Sequence, residues 1–291
     1  MVTVGVCVRN CEKSIESVIK SVVNQDFPKD KMEIIFVDDD SKDRTLEVIR
    51  ESTSKVKVKA RIYHQDWRGI AAARNIVVQK ARGKYIIWVD GDMKLPPDHV
   101  RKQVEYMSSN PKVGVAKARY GFTESKKIVA ILENSRAFGL RPNNLKLVGT
   151  GGSIYRVEAI READGFDENI KGAGEDMDAL IKILKKGWIL STTNAVFYEQ
   201  FKETWSGLWL QYYWWGYGAH YVQHKHKHPI SIVTRLPPVA FFLGIFRFFR
   251  VYKRHRKMIY SLLPFHNAFK ESAWCVGFFK SHVDGYSDKK A

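Results

Sequence analysis

The sequence predicts an α/β fold with a mostly parallel sheet and helices on both faces. Over residues 3–90, apolar runs of strand length alternate with segments whose apolar residues recur at helical spacing. The run Ile34-Ile35-Phe36-Val37 is continuously apolar, which is typical of a strand covered on both sides. Polar or acidic residues directly follow three of the runs. Because such sheets bind ligands beyond the carboxyl ends of their strands, these residues also predict where the site lies.

The predicted elements alternate along the chain. In residues 14–24, apolar side chains at i, i+3, i+4, i+7 and i+8 predict one buried helical face. A helix stands between successive strands, so those strands are expected to run parallel. We predict strands at residues 3–8, 34–37, 56–63, 85–89 and 153–155, and helices at residues 14–24, 44–51, 70–81 and 177–186.

Composition indicates a folded chain with a basic C-terminal region. The chain has 291 residues, 45% of them hydrophobic and 27% charged, which is enough to bury a large core and excludes a disordered protein. Its net charge is +17, and residues 222–291 contribute +10, from 13 Lys and Arg against three acids. This charge favours an anionic partner, either nucleic acid or a membrane surface rich in acidic lipids.

Cysteine content and hydropathy predict a cytoplasmic location. The three cysteines have neither a disulfide pattern nor metal-ligand spacing, which favours a reducing compartment. The first predicted strand begins at residue 3, so we expect no cleaved signal peptide. The longest apolar run, residues 236–246, is shorter than the roughly 20 residues that span a bilayer.

The most informative motif is Asp90-Gly91-Asp92, directly after the apolar run at residues 85–89. Two carboxylates at a sheet edge are costly unless a cation is near. Oxygen ligands on a short loop suit Mg²⁺ or Mn²⁺, which complete their shells with water and substrate phosphates. The motif therefore predicts a metal-bound, phosphorylated substrate, and the alternative is a pair of solvated acids in a turn.

Other polar segments are expected around the same crevice. Arg9-Asn10 and residues 38–41 follow predicted strands, although each is also ordinary turn or capping chemistry. Glycines at 149, 151 and 152, and those preceding Glu175-Asp176, allow close approach of a ligand. The alternative for the acidic pair is that it complements a helix N-terminus.

Taken in their order along the chain, these motifs resemble those of family 2 glycosyltransferases with the GT-A fold, over roughly residues 1–200. No single motif is specific, but their combination at family-like spacings is. The resemblance implies inverting, metal-dependent transfer of a sugar from a UDP- or GDP-sugar to a hydroxyl of a lipid-linked or saccharide acceptor. The matching segments are VGVCVRN (4–10), FVDDDSKDRT (36–45), ARN (73–75), WVDGD (88–92) and GED (174–176).

On the donor side, the resemblance implies a role for each matching residue. Asp39, with Asp38 beside it, would hydrogen-bond the nucleotide base, and Asp90 would face the ribose or sugar. Asp92, the second acid of the D-x-D motif, would ligate the Mg²⁺ or Mn²⁺ that bridges the diphosphate. Arg74 is a candidate for the nucleotide region, or equally a structural ion-pair partner.

On the acceptor side, Asp176 would be the general base that takes the proton from the acceptor hydroxyl. Glu175 would lie beside it, and Gly151 and Gly152 would form the wall next to the sugar and acceptor.

The chain departs from the family pattern at two places. Arg9 stands where many relatives carry an aromatic residue for base stacking, although a guanidinium stacks too. The segment Gln211–Trp215 only partly resembles the Q-x-x-R-W signature of processive synthases, because Trp214 replaces the arginine. Processive synthesis and diphosphate anchoring by that arginine are therefore not predicted, while Trp215 remains a candidate for the acceptor pocket.

Residues 201–291 are predicted to form an aromatic, basic helical region that associates with the inner face of the cell membrane. Between residues 205 and 221, four Trp and four Tyr favour a membrane interface or a sugar-stacking groove, and packing as a helix is the alternative. From residue 236 onward, apolar patches alternate with cations, as in a segment lying in the interface plane. A homodimer interface is the competing interpretation.

Four histidines, at positions 220, 224, 226 and 228, are predicted to lie in a solvated basic loop. His220 and His224 are one helical turn apart, as metal ligands can be, but the loop is the favoured interpretation. His220 is also a candidate for contact with substrate phosphate.

Two alternative functions stay open. A polyprenyl-phosphate sugar transferase would use an acceptor already ionised at neutral pH and would not need Asp176. A non-catalytic module that binds acidic lipid or nucleic acid would account for the basic tail. No nucleic-acid-binding motif accompanies that charge, so we predict no nucleic-acid partner.

Overall fold

The structure is a computed structural model that describes residues 1–56, 58–135, 149–170, 172–227 and 232–285. The chain divides into two compact units. The first unit comprises Met1–Gly121, Arg141–Glu168 and Glu175–Glu199. The second comprises Phe122–Leu140, Asn169–Gly174 and Gln200–Ala291.

Eight strands of the described chain form one mixed sheet, which belongs to the first unit. They are β1 (Val2–Val8), β2 (Met32–Asp39), β3 (Lys59–Gln65), β4 (Tyr85–Asp90), β5 (Met93–Lys94), β6 (Val113–Tyr120), β7 (Ser153–Arg156) and β8 (Ile189–Glu199). Their order is β3-β2-β1-β4-β7-β6-β8-β5. The pairs β2–β3, β1–β2, β1–β4 and β6–β8 are parallel, and β4–β7, β6–β7 and β5–β8 are antiparallel.

The helices are α1 (Ile15–Val23), α2 (Thr45–Thr53), α3 (Ile70–Lys80), α4 (His99–Ser109), α5 (Ile128–Asn134), α6 (Val157–Glu162), α7 (Glu175–Lys185), α8 (Trp205–His226), α9 (Pro237–His255) and α10 (Leu263–Val283). In the first unit they cover both faces of the sheet. One apolar cluster includes side chains of α1, α2 and α4, and another includes those of α3, α6 and α7. The predicted α/β architecture with helices on both faces is therefore confirmed.

The parallel register places three polar strand ends at one edge of the sheet. On β1, Val8 pairs with Asp38 of β2, and Cys7 pairs with Asp90 of β4. The ends of β2 and β4 therefore lie level with the end of β1, which Arg9 follows. The two acids after the predicted strand at 34–37 are not loop residues, since β2 continues through Asp38 and Asp39 and buries both. Backbone pairing does not depend on side-chain polarity, so the ladder extends past the last apolar residue.

Several other element boundaries differ from the prediction by a few residues, including those of β3 and α7. The strand predicted at 56–63 is β3, Lys59–Gln65, because its ladder with β2 begins only at Glu33. The helix predicted at 177–186 begins at Glu175, so both members of the acidic pair lie in its first turn.

In the second unit, α8 and α10 run in the same direction with their backbones in close contact. Trp205 and Trp209 at the start of α8 pack against Phe269, which supports the packing interpretation of these aromatic residues. Farther along, a Cβ added to Gly216 would meet the backbone carbonyl of Trp274, and one added to Gly277 would meet that of Tyr213. Glycine is needed at both positions because any side chain would separate the helices.

Helix α9 buries one face and exposes another. Ala240, Gly244 and Val251 are its buried residues. The exposed face carries a stripe of large apolar side chains, at Phe242, Leu243, Phe246 and Phe249. No helix of the described residues is both long and apolar enough to cross a bilayer.

Candidate active site

A buried arginine joins carboxylates from two elements of the first unit. Arg74 of α3 is 6% exposed; its Nη1 donates to Oε1 of Glu175, and its Nη2 lies 3.6 Å from Oδ1 of Asp90. Burial opposes the charge of Arg74, but Glu175, Asp90 and Asp176 outweigh burial and raise the pKa of Arg74 above its ordinary value. Arg74 is thus an ion-pair partner, as one of the two predicted interpretations has it.

Glu175 is buried between the influence of a negative neighbour, Asp176, and a positive one, Arg74. Burial and the neighbouring Asp176 raise the pKa of Glu175, while Arg74 opposes the shift. Asp176 itself follows in the first turn of α7, where its Oδ1 accepts a hydrogen bond from the Met177 N–H at 2.7 Å. The helix-terminus interpretation of this pair is compatible with a position in the site, because a helix N-terminus stabilises a carboxylate.

A buried lysine that was not predicted as a site residue holds residues 149–152, the glycine segment, in place. Lys117 of β6 is 4% exposed, and its ammonium group donates to the carbonyl oxygens of Gly149, at 2.9 Å, and Gly151. Burial lowers the pKa of Lys117 to about 8, although Glu199, Asp90 and Asp176 oppose the shift. The signal available in the sequence was a single lysine inside the otherwise apolar strand Val-Gly-Val-Ala-Lys-Ala.

The lowered pKa of Lys117 predicts an unusual pH dependence of stability. Between pH 8 and 10.5 the unfolded chain holds the Lys117 proton and the folded chain does not, so stability rises with pH. Relative to Lys117→Met, the wild-type free energy of unfolding should therefore increase by up to about 1.4 kcal/mol per pH unit in this range. Urea denaturation of both proteins at several pH values measures the difference, and a pH-independent difference would contradict the lowered pKa of Lys117.

The glycine segment lies beside both Asp90 and Asp176. A Cβ added to Gly149 would lie 3.2 Å from Oδ2 of Asp176, and one added to Gly151 would collide with Oδ2 of Asp90. Gly152 has φ +67°, and its N–H donates to the Trp88 carbonyl at 2.9 Å. The contacts with Lys117 and Trp88 hold the segment in place, and its glycines at 149, 151 and 152 add no side chains, so a substrate can approach both carboxylates.

The other two acids predicted to bind the donor, Asp38 and Asp39, are hydrogen-bonded by nearby residues of the chain. Asp38 accepts from the Ser41 hydroxyl and lies 2.8 Å from Nδ1 of His64. Asp39 accepts from the Gln65 amide at 2.7 Å and from the Arg68 N–H at 3.0 Å, just before α3. Both acids therefore order the loops at this edge, whatever they contact in a bound nucleotide.

Arg9 forms an exposed platform with an aromatic residue that the sequence analysis also missed. Its guanidinium lies 4.9 Å from the ring centre of Trp67, which is 66% exposed. A large aromatic side chain in water immediately after β3 is the signal that was available. The pair offers a flat surface on which a planar ring can stack.

The acidic residues suit a hard divalent cation in their chemistry. Asp90 ends β4, and the half-buried Asp92 follows in the turn before β5. Burial raises the pKa of the nearby Cys11 thiol, and the charge of Asp92 contributes to this shift. No three carboxylates of the described residues converge within 4.8 Å. A cation held by one or two acids, completed by phosphate and water, is the usual magnesium arrangement and fits this set.

The last predicted site residue, Trp215, belongs to the second unit. It lies on α8 with its ring centre 4.8 Å from that of Tyr212. The histidines predicted to form a loop are also on this helix: His220, His224 and His226 are helical, which corrects the prediction, and His228 lies outside the described residues.

Fold and site together define an α/β protein with acidic residues gathered at the carboxyl edge of its sheet. The chain belongs to glycosyl transferase family 2. The model of that family matches residues 3–163, more than half of the chain, and the model of glycosyl transferase family group 2 matches residues 85–275. The family resemblance inferred from the motifs is confirmed.

Similar proteins include two bacterial ones. Poly(ribitol-phosphate) beta-N-acetylglucosaminyltransferase TarS of Staphylococcus aureus (strain Mu50 / ATCC 700699) is 23% identical over 200 residues, which are 65% of this chain and 33% of TarS. Probable glycosyltransferase YdaM of Bacillus subtilis (strain 168) is 26% identical over 265 residues, 86% of this chain and 62% of YdaM. The chain thus spans less than two thirds of the length of either relative.

Two solved structures share the fold. Mannosyltransferase PcManGT from Pyrobaculum calidifontis, in complex with GDP-Man and Mn²⁺, has a TM-score of 0.68 at 17% identity, covering 97% of this chain and 87% of its own. S. aureus TarS 1–349 in complex with UDP has a TM-score of 0.56 at 17% identity, covering 98% and 91%. These similarities confirm the GT-A fold.

Proposed function

We propose that this chain transfers a sugar from a nucleoside diphosphate sugar to a hydroxyl of a lipid-linked or saccharide acceptor, with inversion at the anomeric carbon. The observation that carries the proposal is that Asp90 and Asp176 border one glycine segment, and that the charges of both act on the buried cations Arg74 and Lys117. The fold relatives add support, since they are complexed with GDP-Man and with UDP.

Asp176 is the proposed general base. It takes the proton of the acceptor hydroxyl while that oxygen bonds to the anomeric carbon and the bond to the diphosphate oxygen breaks. Attack from the face opposite the diphosphate inverts the anomeric centre in one step. Arg74 keeps Glu175 paired beside the base, and Lys117 fixes the carbonyls of the glycine segment that lines the sugar.

The donor would lie along the carboxyl edge of the sheet. Its base would stack on the Arg9–Trp67 platform near Asp38 and Asp39. Asp92, with Asp90, would hold Mg²⁺ or Mn²⁺, which when bound supplies positive charge opposite the diphosphate.

Ligand-induced stabilisation tests the donor assignment. Thermal denaturation with UDP or GDP, with and without Mn²⁺, should show a rise in melting temperature for one nucleotide that is larger with the metal. At a hundredfold excess over Kd the stabilisation is about 2.7 kcal/mol. Asp92→Ala should remove the metal-dependent part, whereas Asp30→Ala, at an exposed acid elsewhere, should retain it. A rise that is unaffected by Mn²⁺ and by Asp92→Ala would exclude Asp92 as the metal ligand.

We further propose that the second unit is the membrane-associating region of a cytoplasmic, peripheral protein. The stripe Phe242, Leu243, Phe246 and Phe249 of α9 is exposed, and exposed cations follow at Arg250, Lys253 and Arg254. An apolar stripe beside cations suits a helix lying in the surface of an anionic membrane. Each cation adds about 1 kcal/mol of attraction there.

Vesicle co-sedimentation tests this surface. The wild type should bind vesicles containing anionic lipid, and Phe246→Ser with Phe249→Ser should weaken binding by at least about tenfold, since two large apolar groups no longer insert. Leu184→Ser, at an exposed apolar residue of α7 in the first unit, is the matched control. If the double variant instead abolishes a dimer and leaves vesicle binding intact, the stripe is a homodimer interface.

A further inference from the structure

Three histidines on two helices of the second unit converge on one point. His220 and His224 lie one turn apart on α8, and His282 lies near the end of α10. A ring nitrogen of each lies within 4.8 Å of one from each of the others. Nothing in the proposed transfer reaction uses them, and their nitrogen ligands differ in kind from the carboxylate oxygens of Asp90 and Asp92.

The spacing of the ring nitrogens suits a shared metal ion. Nε2 of His220 lies 3.2 Å from Nδ1 of His282. Two imidazole nitrogens bound tetrahedrally to zinc at about 2.0–2.1 Å stand about 3.3–3.4 Å apart. A metal ion can therefore replace the proton between this pair with little movement of either ring.

The third histidine lies beside the first. The ring centres of His220 and His224 are 4.3 Å apart, on the same face of α8. His224 and His282 are exposed, whereas His220 is 3% exposed. One buried and two exposed ligands leave a route from solvent to the fourth position.

The buried ligand is oriented by a second contact. Nδ1 of His220 lies 3.2 Å from the hydroxyl oxygen of Ser281, and Phe278 packs edge-on against the ring. A hydrogen bond at the other ring nitrogen is the usual way in which proteins fix the tautomer of a metal-binding histidine. The nearby Lys280 is neutralised by Asp284, which limits repulsion of a cation.

We propose that His220, His224 and His282 bind a divalent transition metal of borderline softness, with Zn²⁺ as the fitting ion, and that this ion ties α8 to α10. Imidazole ligands favour such metals over Mg²⁺, which prefers oxygen. Three protein ligands leave the fourth tetrahedral position to water or to another ligand. The proposal does not depend on the sugar-transfer function.

Metal titration of the full chain, without a polyhistidine tag and after treatment with chelator, tests the proposal. Calorimetry with Zn²⁺ should show one equivalent bound, and Co²⁺ should produce the visible ligand-field bands of a tetrahedral site. Zn²⁺ should also raise the melting temperature, because it binds only the folded arrangement.

His224→Ala and His282→Ala should each weaken Zn²⁺ binding by at least about tenfold and remove the Co²⁺ bands, since each loses one of three protein ligands. Both residues are exposed, so their circular dichroism spectra should match the wild type. His226→Ala, two positions along α8, is the matched control and should bind as the wild type does. Binding that is equally strong in His224→Ala, or equally weakened in His226→Ala, would overturn the proposal.

Discussion

Asp176→Asn should reduce the rate of sugar transfer by about 10²–10⁴-fold, because the amide cannot take the proton of the acceptor hydroxyl. The change keeps the size of the side chain and its acceptor for the Met177 N–H, so the fold should be retained. The measurement is steady-state transfer with the nucleotide sugar that the thermal-shift experiment identifies. The loss should appear in kcat more than in the affinity for the donor.

The control for this variant is Glu47→Gln, which removes another carboxylate from the first turn of a helix. If Asp176 merely complemented the helix terminus, the two variants would lose similar stability, at most about 1 kcal/mol, and neither would lose activity. An Asp176→Asn enzyme that transfers sugar normally would contradict the base assignment. If the Asp176→Asn enzyme transferred sugar normally to polyprenyl phosphate and to no hydroxyl acceptor, the alternative function, a polyprenyl-phosphate sugar transferase, would be favoured.

Arg74→Met should lower the free energy of unfolding by about 3–5 kcal/mol. The variant removes the cationic partner of the buried Glu175, whose pKa is already raised, so folding must either bury its charge unpaired or protonate it, and both cost stability. Urea denaturation followed by circular dichroism measures the loss.

Two further variants separate the ion pair from simple loss of packing. Arg74→Met combined with Glu175→Gln should recover most of the stability, since no buried charge is left unpaired. Arg68→Met removes an exposed ion pair, with Glu168 at 2.6 Å, and should cost less than about 1 kcal/mol. A loss from Arg74→Met no larger than that from Arg68→Met would show that the buried pair contributes little.

Local patterns were sufficient to predict the strands and α-helices of residues 2–90, but not β5, β6, β8 or α4. Apolar runs and helical spacing predicted β1, β2, β4 and the helices between them, because both depend on neighbours a few residues away. They failed where the ladder continued through acidic residues, at Asp38 and Asp39, since pairing partners rather than side-chain polarity decide where a strand ends.

Long-range contacts were beyond the reach of the same patterns. A single lysine in an apolar strand gave no indication that Lys117 binds the carbonyls of Gly149 and Gly151. The histidines that were predicted to lie in a loop belong to α8, because the aromatic helix continues through them and packs on α10 through His220. No sequence pattern predicted a role for His282, since its proximity to His220 results from the packing of α10 against α8.

By itself, the sequence determined the alternation of strands and helices, the acidic strand ends and the family to which the chain belongs. Only the tertiary structure decided that Asp90 and Asp176 border one glycine segment, that the charges of both act on Arg74 and Lys117, and that three histidines meet on two helices. The physical reason is that periodicity reports which face of an element is buried, whereas the meeting of distant side chains depends on how whole elements pack.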